Sequence, residues 1–249
     1  MCKETTEPPM KRQRNRDYHA ADYPDFTPNV SPKEMFQAGI FGGTYFRDIK
    51  IGSKWYRNAW KEFEPHGWFS GLDIAKNIAC RDPVLSRNRY KAKCGQSLEQ
   101  WLEKGWIKTD YDSHGWVHWY CRFFLGRRCE DDVRQISRWK ACAGNKGRWK
   151  RNLIAKCVKA GKSFDDETVS PTVRQLLLHW GYQLTEPHFN EYKSLLEKGH
   201  KTSFIPQHEM RHVVKNKDTG DQTATPQAQD GRKEQNEARQ ERRRKRARN

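Results

Sequence analysis

The chain has 249 residues, of which 48 are Lys or Arg and 31 are Asp or Glu, giving a formal charge of +17 and a pI near 9.6. A surplus of that size draws polyanions through long-range fields and counterion release, and it says nothing about fold. Seven cysteines, an odd number with no CxxC pair, match neither a disulfide framework nor a zinc knuckle, so reduced thiols are expected. No run approaches the roughly 18 apolar residues of a membrane span, and MCKETTEPPMKRQRNR has no apolar h-region. An intracellular protein, neither secreted nor membrane-spanning, is expected.

Hydrophobic residues make up only 35% of the chain, but ten Trp, nine Tyr and eleven Phe offset the deficit. Each buried aromatic removes about 150–250 Å² from water. A core can therefore form if the polar ends stay outside it. Residues 1–27 are polar, with Pro8, Pro9 and Pro24 and the basic cluster Lys11, Arg12, Arg14 and Arg16, and are predicted as a disordered N-terminal arm. Residues 28–205 are predicted as a helical, tryptophan-rich core domain.

Helix punctuation recurs through that domain. Ser31-Pro32-Lys33-Glu34 places an N-cap, a first-turn proline and a capping-box acid in order, with Gly39 as a stop. Phe41 to Ile51 is rich in aromatic and β-branched residues and reads as a short ribbon. Its adjacent Gly42 and Gly43 would suit either a tight turn or an anion nest. Ser97-Leu98-Glu99-Gln100 repeats the capping box, and Lys104-Gly105 ends that helix. Between Gly115 and Leu125 the residues Trp116, Trp119, Tyr120, Phe123 and Phe124 mark one helical stripe closed by Gly126. Further helices are predicted over Glu130 to Ala143, from Ser170-Pro171 to Gly181, and over Pro187 to Lys198.

From 206 to 249 a disordered basic tail is predicted. After about Lys215 it has no Val, Ile, Leu, Met or aromatic residue to offset ordering entropy. Arg232 to Asn249 holds nine basic and three acidic residues, +6 of the +17. The fold class is thus mainly α: a single compact helical domain with a short β-ribbon near 41–51, flanked by disordered termini.

Chemistry concentrates between Gly115 and Arg151. Arg122, Arg127, Arg128, Arg134 and Arg138 lie within 17 residues. Guanidinium matches phosphate with bidentate donors, so these five form a candidate anion site. Arg148, Trp149, Lys150 and Arg151 interleave charge with an indole, as single-strand binding surfaces do, and Trp149 is the best candidate for an exposed ring. The alternative for the arginines is intrahelical pairing of Asp131 with Arg134, with the rest simply solvated. Glu130, Asp131 and Asp132 suit a helix N-terminus, with an acid–base or metal pair at Asp131 and Asp132 as the alternative. His208-Glu209-Met210-Arg211-His212 matches H-E-x-x-H, but Pro206, Arg211 and the adjacent tail argue against a zinc helix. The pair His114 and His118 lacks a third ligand. No metal and no cofactor is predicted.

In this order, Phe41-Gly42-Gly43-Thr44-Tyr45, Gln96-Ser97-Leu98 to Trp101, Lys104-Gly105-Trp106-Ile107, Trp119-Tyr120-Cys121-Arg122 with Gly126-Arg127-Arg128, and Arg134-Gln135-Ile136 to Trp139 resemble the FGGxY, QSLxxW, KGWI, WYxRxxxGRR and RQIxRW patches of an uncharacterised family of small Trp-rich basic proteins. The resemblance covers about residues 31–182. It implies one folded unit and transfers no catalytic residue.

The expected function is a nucleic-acid-associated binding protein, with DNA or RNA as partner and the arginine face and cationic tail as its contacts. In a eukaryotic host the run Arg242 to Arg246 would be a nuclear address. The alternatives are an enzyme acting on nucleotides or nucleic acid through Asp131 and Asp132, and a scaffold for protein partners.

Overall fold

The computed structural model describes residues 4–199. The predicted tail, the H-E-x-x-H match and Arg242 to Arg246 lie outside the described residues. The fold is mainly α, with small two-stranded sheets. Eight helices occur among the described residues: α1 Pro32–Ala38, α2 Ile74–Asn77, α3 Leu98–Glu103, α4 Trp116–Phe124, α5 Asp132–Cys142, α6 Arg148–Lys159, α7 Pro171–His179 and α8 Glu186–Glu197. Both capping boxes form. Ser31 Oγ accepts from the Glu34 amide at 3.2 Å while Glu34 accepts from the Ser31 amide at 2.7 Å, and Ser97 and Gln100 repeat the exchange at 3.3 and 3.0 Å.

Helix α4 organises the core. Trp116 to Cys121 and Phe123 are all buried, so the helix is enclosed on every side rather than along one stripe. The N-terminal segment completes that enclosure, and here the expected disordered arm is corrected. Residues 5–26 form a strap across the domain. Thr5–Thr6 (β1) pairs antiparallel with Arg127–Arg128 (β6), and Lys11–Arg12 (β2) pairs with Tyr18–His19 (β3). The Glu7 and Met10 amides donate to the Gly126 and Phe124 carbonyls at 2.7 and 3.0 Å. A Cβ on Gly126 would sit 1.9 Å from the Glu7 carbonyl oxygen, so only glycine admits the strap so close.

The polar composition of the strap concealed its anchors. Met10, Tyr18 and Phe26 are buried, and the Phe26 ring has no solvent exposure. It lies 5.1–5.8 Å from the rings of Trp119, Tyr120, Phe123 and Trp139, mostly edge to face.

The ribbon also forms, a few residues later than expected. Ile49–Ile51 (β4) pairs with Lys54–Tyr56 (β5), whereas Phe41–Gly43 is a single 3₁₀ turn. Phe41, Gly42 and Gly43 all have positive φ, and a Cβ on Gly43 would lie 2.1 Å from the Lys76 carbonyl oxygen. The anion-nest alternative fails because the amides are taken. Those of Phe41 and Gly42 donate to His179 Nε2 and Asn88 Oδ1, and those of Gly43 and Thr44 to the Ile40 and Phe41 carbonyls.

Helix α6 was not expected. Its signal was Trp149, Leu153, Ile154 and Cys157, all buried on one face, beneath a basic run that drew attention to charge instead. Truncating Phe26→Ala should lower unfolding free energy by about 3–5 kcal/mol, as for other fully buried Phe. A denaturant midpoint unchanged from wild type would show that the strap does not belong to the cooperative core.

Candidate nucleotide-binding cleft

The nine residues expected to form a phosphate or nucleic-acid surface do not share one face. Four of the arginines are bound internally: the Asp131–Arg134 pair forms as the alternative had it, but Arg122, Arg127 and Arg128 are paired rather than solvated. Arg122 grips Glu62 with two bonds, at 2.7 and 2.6 Å, and meets Asp112 at 3.1 Å. Arg127 reaches the other Asp112 oxygen at 2.7 Å and Glu4 at 3.2 Å. Arg128 holds Asp22 at 2.7 and 3.1 Å, with its guanidinium 3.8 Å from the Phe123 ring centre. Arg134 is bidentate to Asp131 at 2.6 and 2.7 Å.

The physical reason is their position. Arg122, Arg127 and Arg128 occur in and just after a buried helix, and charges that enter a low-dielectric interior must find partners there. The pairs act back on the acids. Burial would raise Glu62, but His118 and Arg122 outweigh it and hold the carboxyl at about 2. Burial would likewise raise Asp131, yet Arg134 and Lys108 keep it below the usual carboxylate range. At Asp112 burial wins, and its carboxyl is raised despite Arg127 and Arg122.

Asp131 and Asp132, the alternative acid–base or metal pair, are each engaged by donors of the protein. Asp132 is 1% exposed and accepts from the Trp119 indole N–H at 2.8 Å and the Cys129 amide at 3.0 Å. Asp131 is occupied by Arg134, by Gln135 Nε2 at 2.9 Å and by Lys108 at 3.2 Å. Asp132 does border a small cavity of about 270 Å³ with Asp22, Arg128 and Cys129, but neither Arg134 nor Arg138 reaches it. Among the described residues no three His, Cys, Asp or Glu side chains are grouped to hold a metal ion.

Two more expectations are corrected in α6. Trp149 is not an exposed ring: it is 7% exposed. Lys150 is also buried, its ammonium 5.2 Å from the Tyr182 ring centre, and burial lowers its pKa to about 8. Arg151 lies 5.0 Å from the Tyr192 ring, between α6 and α8.

Arg138, Arg148 and Trp149 instead meet in a cleft of about 580 Å³, within the common range of ligand sites. Helix ends converge on it. The Phe41–Gly43 turn presents Phe41 and, just beyond, Tyr45; α3 and its exit give Trp101, Lys104 and Trp106; α4 begins with Trp116; α5 contributes Arg138; α6 opens with Arg148 and Trp149; α7 ends at His179 and Trp180. Phe41 and Trp101 meet edge to face at 5.8 Å, and Trp116 and Trp180 lie 4.7 Å apart.

The lining has three cations, Lys104, Arg138 and Arg148, and no carboxylate. Arg138 has no acid within ion-pair distance among the described residues. Its Nη1 donates to Gln135 Oε1 at 2.9 Å, and its guanidinium lies 5.2 and 5.4 Å from the Trp106 and Trp180 rings. Burial, then the nearby Arg134, lowers its pKa to about 10, which leaves it charged at neutral pH. Two polar groups of this lining lack a protein partner among the described residues: the buried Trp116 indole N–H, a donor, and Gln96 Oε1, an acceptor.

His179 and Cys94 touch at the cleft wall, with Sγ 3.3 Å from Nδ1. His179 Nε2 accepts from the Phe41 amide at 3.1 Å and lies 3.0 Å from Gln175 Nε2, so the ring proton belongs on Nδ1. That tautomer donates to sulfur and cannot take the thiol proton. Burial raises the Cys94 thiol and lowers His179 to about 3, which also opposes a thiolate–imidazolium pair.

Sequence reasoning missed the cleft because its residues come from six separated segments. The visible signal was the recurrence of indoles beside basic residues at Trp101, Lys104 and Trp106. No protein-family model, curated protein or solved structure matches the chain.

Replacing Asp112→Ala leaves Arg122 to Glu62 and Arg127 to Glu4, and should cost about 1–3 kcal/mol of stability, the worth of lost bonds to buried charged groups, read from urea unfolding. A loss below about 1 kcal/mol would return Arg122 and Arg127 to the solvated surface.

Burial holds His118, like His179, at about 3, against 6.5 for a free imidazole. Below about pH 6.5 the unfolded chain binds protons that the fold excludes, so the contribution of these two histidines is complete above that pH. It should decline as pH falls toward 3, by about 1.4 kcal/mol per pH unit for each histidine. Glu62 adds a second decline between about 4.5 and 2, as its carboxylate is protonated. Urea midpoints at pH 7.5, 6 and 5 test this; equal midpoints would contradict neutral burial of the imidazoles.

Proposed function

We propose that the protein is a nucleic-acid-associated binding protein whose cleft receives an unstacked base, with Lys104, Arg138 and Arg148 facing the adjoining phosphates. What supports this reading is the lining of one cleft: several indoles and a phenylalanine, three cations, no carboxylate, and an unused donor and acceptor. Aromatic faces take any base by stacking, Arg and Lys take phosphate, and a base edge offers the complementary hydrogen-bonding groups. A purely apolar ligand would leave Arg138 uncompensated, and a cationic one would be repelled.

The enzyme alternative has no comparable support, because Asp131 and Asp132 are held in structural bonds and do not line this cleft. The C-terminal basic run adds nonspecific attraction, and in a eukaryotic host Arg242 to Arg246 would serve as a nuclear address.

The test is equilibrium binding of the full chain to a labelled single-stranded oligonucleotide across a salt series. Affinity should fall with salt. Trp101→Ala should weaken binding by about 1–3 kcal/mol, the worth of one stacked base, and Arg138→Gln should weaken it and flatten the salt slope. The opposite result is cleft variants that bind as wild type while Gln at all five positions from Arg242 to Arg246 abolishes binding. Association would then belong to the tail alone.

A further inference from the structure

The β4–β5 ribbon has two unlike faces. Cross-strand register places Ile49 opposite Tyr56 and Ile51 opposite Lys54 on one face, and Lys50 opposite Trp55 on the other. Ile49 is buried, and Ile51 and Tyr56 are half-buried, so the first face seals the domain. The second points to solvent. Trp55 is 50% exposed, the only aromatic residue among the large exposed hydrophobics of the described residues. Arg57, two residues along the strand direction from Trp55, lies with its guanidinium 4.7 Å from that ring, and Lys50 stands directly across.

None of Lys50, Lys54 and Arg57 makes an ion pair among the described residues, in contrast to Arg122, Arg127, Arg128 and Arg134. From Arg47 to Lys61 the chain carries five basic residues and one acid. An indole left half in water at a ribbon tip contributes little to the fold, and cations left unpaired beside it raise its local potential.

We propose that the outer face of this ribbon is a second nucleic-acid contact, on which Trp55 stacks an unpaired base while Lys50 and Arg57 hold the flanking phosphates. A single strand is the occupant favoured by the chemistry. A free ring face needs an unpaired base, and the two cations beside the ring match a backbone that carries one charge per nucleotide. An anionic bilayer would need more apolar surface than one ring, and the neighbours of Trp55 here are Lys50, Gly52, Ser53, Lys54 and Arg57. The inference rests on the nucleic-acid reading of the cleft, but on different residues.

The experiment measures three ligands against the full chain: a nucleoside monophosphate, the probe of the enclosed cleft, a single strand of about 20 nucleotides, and phosphatidylserine vesicles. Trp55→Ala should weaken the long strand about 5- to 150-fold, the span of one lost base stack, and leave monophosphate binding unchanged. Lys50→Gln with Arg57→Gln, which keeps the ring, should reduce the salt slope for the long strand by about 1.4, or about 0.7 per lost phosphate contact. If the long strand binds and both variants match wild type, the ribbon proposal is wrong and the cleft reading stands. If neither monophosphate nor strand binds, the function reading fails and takes the ribbon with it. If Trp55→Ala weakens vesicle binding alone, the face is a membrane contact and the proposal is overturned.

Discussion

Enclosure of α4 is the constraint from which the rest of the structure follows. A helix whose large aromatic side chains point to nearly every side must be covered all round, and the helices alone leave one side open to the strap, which closes it with Phe26. Because the chain leaves that helix through Gly126-Arg127-Arg128, two guanidiniums enter the same low-dielectric region. They are tolerated because Asp112, Glu4 and Asp22 meet them. The ion pairs fasten the strap at two points and so tie charge to the same closure that the aromatic rings require.

This arrangement also decides where charge is available for a ligand. Cations near α4 are consumed by carboxylates, and Arg138 at the cleft and Lys50 and Arg57 on the ribbon are not matched in this way among the described residues. Arg138 is the informative case. It lies on α5 only four residues from Arg134, yet Asp131 takes Arg134 and leaves Arg138 lodged against indoles, with its charge facing the cleft. Net charge alone does not distinguish these two populations of arginine; burial and partner do.

Much of the fold was legible in the sequence. Ser31-Pro32-Lys33-Glu34 and Ser97 to Gln100 named their caps, and the stripe from Trp116 marked the central helix, because capping and periodicity are local properties. The strap was not legible, since its pairing with β6 and the seating of Phe26 are long-range and its composition is that of a loop. The candidate site was legible only in part. Arg138, Arg148 and Trp149 were identified as charged or aromatic candidates. The Asp131–Arg134 pair is local and was legible, but the separation of Arg122, Arg127 and Arg128 depends on acids at Glu62, Asp112 and Asp22, which no local pattern links to them. Gln96 and Trp116 could not have been found at all, because what distinguishes them is an unmet hydrogen bond that exists only once the chain is folded.

The central claim is that a base occupies the cleft, and the indole N–H resonances address it most directly. In a titration of the full chain with a single-stranded oligonucleotide, followed by ¹⁵N–¹H correlation NMR, the account expects the Trp116 Nε1–H signal to shift as it gains an acceptor. Those of Trp119 and Trp139, already bonded to Asp132 and to the Trp180 carbonyl, should stay in place. A saturating titration that leaves Trp116 unmoved would contradict the account.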